Sequence, residues 1–247
     1  GKMGRKVKTL KSCMILGLPG AGLALAAYIL TDNLSTAMII LGITVGMVFV
    51  AHPDMRPFIA VAAAGVILIV IGVLFLVATT KNSDSFRVMR VLVWLQPEKY
   101  SDEGGYQTLQ ALYAIGSGGI WGKGLGQSMQ KLSFLPEAQN DMIFSIICEE
   151  LGLFGAVAII LMFIMLLWRM MVIANNAPDL FGAMLVVGVM GHIAIQAILN
   201  IAVVTNSIPN TGISLPFISY GGSSALFLLS EIGLVLSVAR RIQLKEL

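Results

Sequence analysis

The stretch DMIFSIICEELGLFGAVAIILMFIMLLWRM (141–170) decides the fold. From Met142 to Trp168 its only charged residues are Glu149 and Glu150, and a helix of that length rises far enough to cross about 30 Å of hydrocarbon. Further apolar runs lie at 12–30, 34–51, 58–79, 181–204 and 215–238. The chain therefore reads as an all-α, polytopic integral membrane bundle with about six spans. Composition agrees: of 247 residues, 57% are hydrophobic and 12% charged, and the mean hydropathy is +0.88, whereas a soluble domain carries roughly 25% charged residues. So few charges cannot cover a water-soluble globule, and the apolar excess must face lipid. The scattered net charge of +3 excludes a disordered chain and a nucleic-acid-binding domain. Cys13 and Cys148 stand in separate apolar stretches, with no disulfide or zinc spacing, and read as inert buried thiols.

The connections set the topology. TDN (31–33) and HPDMRP (52–57) are tight helical turns, the second stopped and restarted by its prolines. A polar segment with Arg169, Asn175, Asn176 and Asp179 separates the fourth and fifth runs, and TNSIPNTG (205–212) the fifth and sixth. Only 80–141 is long. With both ends cytoplasmic, the inner side holds Lys2, Arg5, Lys6, Lys8, Lys11, Arg56, Arg169, Arg240, Arg241 and Lys245, while the two short outer loops hold no Lys or Arg. Positive loop residues resist translocation, so this is the consistent orientation and 80–141 is a large extracellular loop. The opening GKMGRKVKTLK is not a signal peptide, and a chain that starts this way reads as a fragment of a longer one. Residues 1–247 form a single membrane domain with the loop inside it.

In SFRVMRVLVWLQPEKY (85–100), Arg87 and Arg90 share a helical face. Phe86, Met89, Val93 and Trp94 are expected at the membrane interface, with the guanidinium groups reaching phosphate or, more blandly, lipid head groups. The following segment, 104–141, interleaves glycine with aromatic residues and carries Lys123 and Lys131. That density of glycine allows close backbone approach, and 106–115 suits a half-helix, so a partly helical, re-entrant, cavity-lining loop is expected. GKGLG lacks the preceding strand and the ending of a nucleotide-binding loop.

Asp141 stands where the loop meets the fourth span, with Lys131 and Glu137 nearby in sequence. It suits a helix cap, and equally a carboxylate reached by water from outside. Glu149 and Glu150 lie about 12–14 Å further along, where a carboxylate must be protonated, paired or turned to a cavity. His192, Gln196 and Asn200 recur every fourth residue as a polar stripe, explained by interhelical hydrogen bonds or by a substrate path, and Glu231 in the last span is a fourth buried carboxylate. IPNTGISLPFISYGGSS (208–224) looks like the broken start of a membrane helix, with Pro209 and Pro216 interrupting and Gly221 and Gly222 permitting turns.

In order, RVLVWLQPEKYSDEGGYQTLQALYAIGSGGIWGKGLG, QKLSFLPEAQNDMIFSIICEELG and NIAVVTNSIPNTGISLPFISYGGSS cover most of 87–224. Together they resemble the SEDS family of bacterial shape, elongation, division and sporulation proteins, nearer the FtsW and SpoVE branch than RodA. The resemblance implies a ten-span peptidoglycan glycosyltransferase of the bacterial cytoplasmic membrane, its first four spans missing here. It would polymerise lipid II on the outer face, beside a class B penicillin-binding protein and other divisome proteins. The family's essential aspartate falls on Asp141 in PEAQNDMIF. Arg87, Arg90, Lys123, Lys131, Glu137, Ser219, Tyr220 and Ser223 become candidates for substrate binding, Lys131 and Arg87 foremost for the pyrophosphate. Two departures stand out: Gln139-Asn140 replaces the familiar His-Thr, and TDNLSTA (31–37) replaces PDLGTA.

The implied reaction joins a sugar 4-hydroxyl to an anomeric carbon and expels undecaprenyl pyrophosphate. Asp141 is then the candidate general base, with Mg2+ or Mn2+ assisting and no organic cofactor. Two rivals remain at this level. One is a lipid II flippase using the His192, Gln196 and Asn200 stripe, and the other a non-catalytic scaffold for the cross-linking enzyme.

Overall fold

The computed structural model describes residues 10–51, 86–132 and 134–242. Among them every regular element is helical. They are α1 (Leu10–Thr31), α2 (Leu34–Ala51), α3 (Phe86–Leu95), α4 (Gly105–Gly118), α5 (Ile143–Asn175), α6 (Leu180–Val204) and α7 (Gly222–Ala239), with single 3₁₀ turns at Ser101–Glu103 and Gln130–Leu132. Three helices, α5, α6 and α7, are long and apolar enough to cross a membrane, and α1 and α2 are apolar helices joined as a hairpin. The expected span at 58–79 lies outside the described residues, as do Arg56 and the start of the long loop.

The chain forms two compact units. The first contains Gly1–Pro53, Ile159–Ile198 and Pro216–Leu247, and the second Asp54–Ala158 and Leu199–Leu215. In the first unit, α1 and α2 pack closely enough that a side chain at Gly20 would meet that of Thr44. Their turn forms without the Pro and Gly of the familiar sequence. Asp32 takes a left-handed φ of 49°, which Asp tolerates, and the Asn33 carbonyl Oδ1 accepts from the Thr36 amide at 3.1 Å, capping α2. Asp179 caps α6 in the same way, accepting from Gly182 N at 2.9 Å.

The sixth run departs from expectation, because α7 begins at Gly222 and not near 215. Leu215 and Pro216 are fully buried and Phe217 has φ of 64°. Proline removes a helical donor and a left-handed residue cannot continue the turn, so the apolar LPFI stretch is irregular backbone.

Within the second unit, α5 is broken at Gly152 (φ 65°, ψ −161°), a conformation open essentially to glycine. A break in a helix strands carbonyls on one side and amides on the other. The glycine-rich loop supplies both sets. Lys123 and Gly124 donate their amides to Glu149 O and Glu150 O at 2.9 Å, while Leu153 donates to Gly119 O at 3.0 Å and Phe154 to Ile120 O at 3.5 Å. Glycine is required at this seam. A Cβ on Gly118 would strike Cys148 O, one on Gly122 would strike Glu150 O, and one on Gly152 would strike the backbone at 120–122.

Candidate active site

The two carboxylates of α5 are paired by the loop. Glu149 is fully buried and accepts from Lys123 Nζ at 2.6 Å, from Ser128 Oγ at 2.5 Å, and from the Met129 and Gln130 amides at 3.3 Å. Glu150 pairs with Lys131. The sequence shows that these residues need partners, but not which ones. Both lysines are thereby engaged with glutamates, although Lys131 also lines a cavity of about 550 Å3 with Leu132, Leu135, Glu137, Ala138, Gln139, Ile143 and Ile146.

Asp141 stands in the chain between two walls of that cavity, Gln139 and Ile143. Its side chain is half-buried, and its Oδ1 is buried without a hydrogen-bond partner. Burial pushes its carboxyl above the usual carboxylate range. The Glu137 charge pushes the same way, and a bond from its own backbone amide opposes both. Glu137 has a left-handed φ of 54° and accepts from the Asn140 side-chain amide, so one residue of the departing Gln139-Asn140 pair holds the neighbouring carboxylate.

Asn200 fixes the backbone here. It is fully buried in α6 and donates through Nδ2 to Asp141 O at 2.6 Å and to Ile213 O at 2.7 Å. Its own Oδ1 is left unpartnered. Gln107 of α4 donates to Pro136 O at 3.4 Å and accepts from Asn210 Nδ2 at 3.1 Å. These bonds tie the segment before α5 to the segment after α6. Sequence reasoning missed Gln107, Asn210 and Ser128, which these bonds join to partners 21 to 103 residues away. Their one visible signal is a polar side chain in an otherwise apolar or glycine-rich context.

The remaining candidates fall elsewhere. Val93 is buried, and Trp94 Nε1 donates to Asn206 O at 3.0 Å while Asn206 Nδ2 donates to Trp94 O at 3.3 Å. Trp94 is thereby fastened to the segment after α6, with part of its side chain still exposed. Arg90 is exposed on α3; Arg87 belongs to the same helix, but its side chain lies outside the described residues. In the first unit, His192 Nδ1 lies 2.9–3.0 Å from both Glu231 oxygens, joining α6 to α7, and Gln196 Oε1 is buried without a partner. Two of the three stripe residues are thus engaged, His192 by Glu231 and Asn200 by backbone carbonyls. Ser219, Tyr220 and Ser223 also belong to the first unit, Tyr220 and Ser223 being exposed.

Long apolar helices, and a glycine-rich loop folded against the break in one of them, define an integral membrane protein. The family model described as cell cycle protein, covering FtsW, RodA and SpoVE, matches residues 2–244, and the chain belongs to that family. It is 42% identical over 226 residues to stage V sporulation protein E of Bacillus subtilis, covering 90% of this chain and 60% of that protein. To a probable peptidoglycan glycosyltransferase FtsW of Trichlorobacter lovleyi it is 38% identical over 224 residues, covering 85% of this chain and 58% of that one. The chain thus spans about 60% of the length of these relatives. Its fold resembles a solved structure described as "Structural coordination of polymerization and crosslinking by a peptidoglycan synthase complex", with a TM-score of 0.73 and 24% identity, covering 98% of this chain and 65% of the other. The rod shape determining protein RodA of Thermus thermophilus aligns with a TM-score of 0.57 and 24% identity, covering 98% of this chain and 61% of the other.

Proposed function

We propose that the chain is the greater part of a peptidoglycan glycosyltransferase that polymerises lipid II at the outer face of the cytoplasmic membrane, with Asp141 as general base. The observation that carries this reading is Asp141 itself, a half-buried carboxylate with an unpartnered oxygen and raised basicity, in the chain between Gln139 and Ile143, which line a cavity with charged and apolar walls. A base must be ionised yet hungry for a proton, and desolvation supplies that balance where a fully hydrated aspartate would be too weak. Asp141 Oδ1 takes the proton of the acceptor sugar's 4-hydroxyl as its oxygen attacks the anomeric carbon of the donor. The bond to pyrophosphate breaks, and the lipid pyrophosphate leaves with the electron pair.

Among the cavity's walls, Lys131 is the cation placed to meet the departing charge, exchanging Glu150 for pyrophosphate. Leu132, Leu135, Ile143 and Ile146 suit the first isoprene units. Arg87, Arg90 and Lys123 are weaker candidates, Lys123 because Glu149 holds it. Among the described residues no group of three or more His, Cys, Asp or Glu side chains converges, which does not fit a cage for a resident divalent ion. Any Mg2+ or Mn2+ would arrive as part of the pyrophosphate substrate. A class B penicillin-binding protein is the partner this reading requires, since glycan strands need cross-linking.

The test is glycan synthesis from lipid II and divalent metal by the complete protein in membranes. Asp141→Asn, nearly isosteric, is expected to abolish polymer while leaving expression and thermal unfolding intact. Full polymerisation by that variant removes Asp141 from the base role, and lipid II translocation without polymer supports the flippase instead.

A further inference from the structure

The glycine-rich loop carries an apolar surface that the reaction does not use. Trp121 is 79% exposed and Leu125 76%, with Ile120 and Met129 also open. The Trp121 ring lies 4.9 Å from that of Phe154, and Phe154 and its neighbour Leu153 are themselves exposed just past the break in α5. Loop and helix are therefore one continuous apolar surface at this level, sewn together by the backbone bonds at 119–124 and 149–154.

The level follows from the charges on α5. Its charge-free stretch runs from Leu151 to Trp168, between Glu150 and Arg169, which at 1.5 Å per residue is about 27 Å, close to the hydrocarbon thickness of a bilayer. Glu150 thus marks one edge of the hydrocarbon. The loop meets α5 at that edge, and the charges nearest the seam, Glu149 and Glu150, are neutralised by Lys123 and Lys131. Tryptophan is the side chain that settles where head groups meet acyl chains, because its ring is apolar and its N–H needs a polar partner.

We propose that the loop over 119–129 is an interfacial foot seated in the head-group layer of the bilayer, with Trp121 and Leu125 among the lipids. The occupant of this surface is lipid, because the surface is continuous with a membrane-spanning helix and begins where that helix leaves the hydrocarbon. The foot fixes the height of the cavity lined by Lys131 and Leu132, whatever chemistry Asp141 performs.

The test uses the whole chain in nanodiscs of phosphatidylcholine brominated either near the head group or near the chain ends. Subtracting the emission of Trp121→Phe from that of the unaltered protein isolates Trp121, because Trp94 and Trp168 are common to both. Bromine near the head group should lower the Trp121 component by about half, deep bromine and aqueous acrylamide much less. A fluorophore on Leu125→Cys should emit blue-shifted in the same discs, which keeps the proposal testable if the Trp121 variant folds poorly. Quenching by acrylamide but not by bromolipid would place the loop in water and overturn the proposal. Protection from both quenchers would mean that protein covers it, and stronger quenching by deep bromine would mean a buried re-entrant segment. Either result also overturns it.

Discussion

Asp141 and Asn200 divide the work at the site, one supplying a carboxylate and the other holding its backbone. Because burial raises the Asp141 pKa, the folded protein binds more protons than the unfolded chain between the ordinary carboxylate value and the raised one. Stability from this residue is therefore present below that window and falls as pH rises through it. Two outcomes follow. The acid limb of polymerisation should lie above the pH range of an unperturbed aspartate, and Asp141→Asn should unfold at the same temperature or higher at neutral pH, which calorimetry across pH will check. Asn200→Ala leaves one buried and one half-buried carbonyl without this donor, a loss of about 2 kcal/mol. It should lower kcat more than raise KM, because the carboxylate drifts while the cavity walls stay. Asn200→Asp should be worse, since it puts an acceptor against two carbonyls, and thermal melts beside steady-state kinetics separate these effects.

At the scale of elements, the decisive feature is the Gly152 break in α5. Gly152→Ala forces a side chain into backbone at 120–122 and into a conformation that only glycine adopts freely, so a loss of about 3 kcal/mol or more is expected. Limited proteolysis near Gln127 should accelerate, as the loop loses its seat. Hydropathy made α5, α6 and most of α7 legible, since length and apolar content are local properties. It could not register φ, so the break was invisible and the irregular LPFI segment looked like span. The short polar turn at 31–33 was legible because capping is local, and it survives the loss of the familiar Pro and Gly. Glu149, Glu150 and Asn200 were recognisable as polar groups needing partners. Lys123, Ser128 and Ile213 as those partners were not, because distant pairings leave no periodic trace.

For the whole molecule, each compact unit has its own polar fastening, His192–Glu231 in one and the Asn200 and Glu149 networks in the other. The distribution of Lys and Arg leads us to propose that both ends of the chain face the cytoplasm. A fluorescent protein fused after Leu247 should then fluoresce, and Asp32→Cys on the first outer turn should react with an impermeant maleimide added to intact cells. The reverse pattern would invert the topology and put Asp141 on the side without nascent wall. The seam between loop and helix has one more consequence. The amides of Leu153 and Phe154 belong to a membrane helix by sequence but are shielded by loop carbonyls, so their deuterium uptake clocks how often the loop lifts away, a built-in gauge that needs no probe.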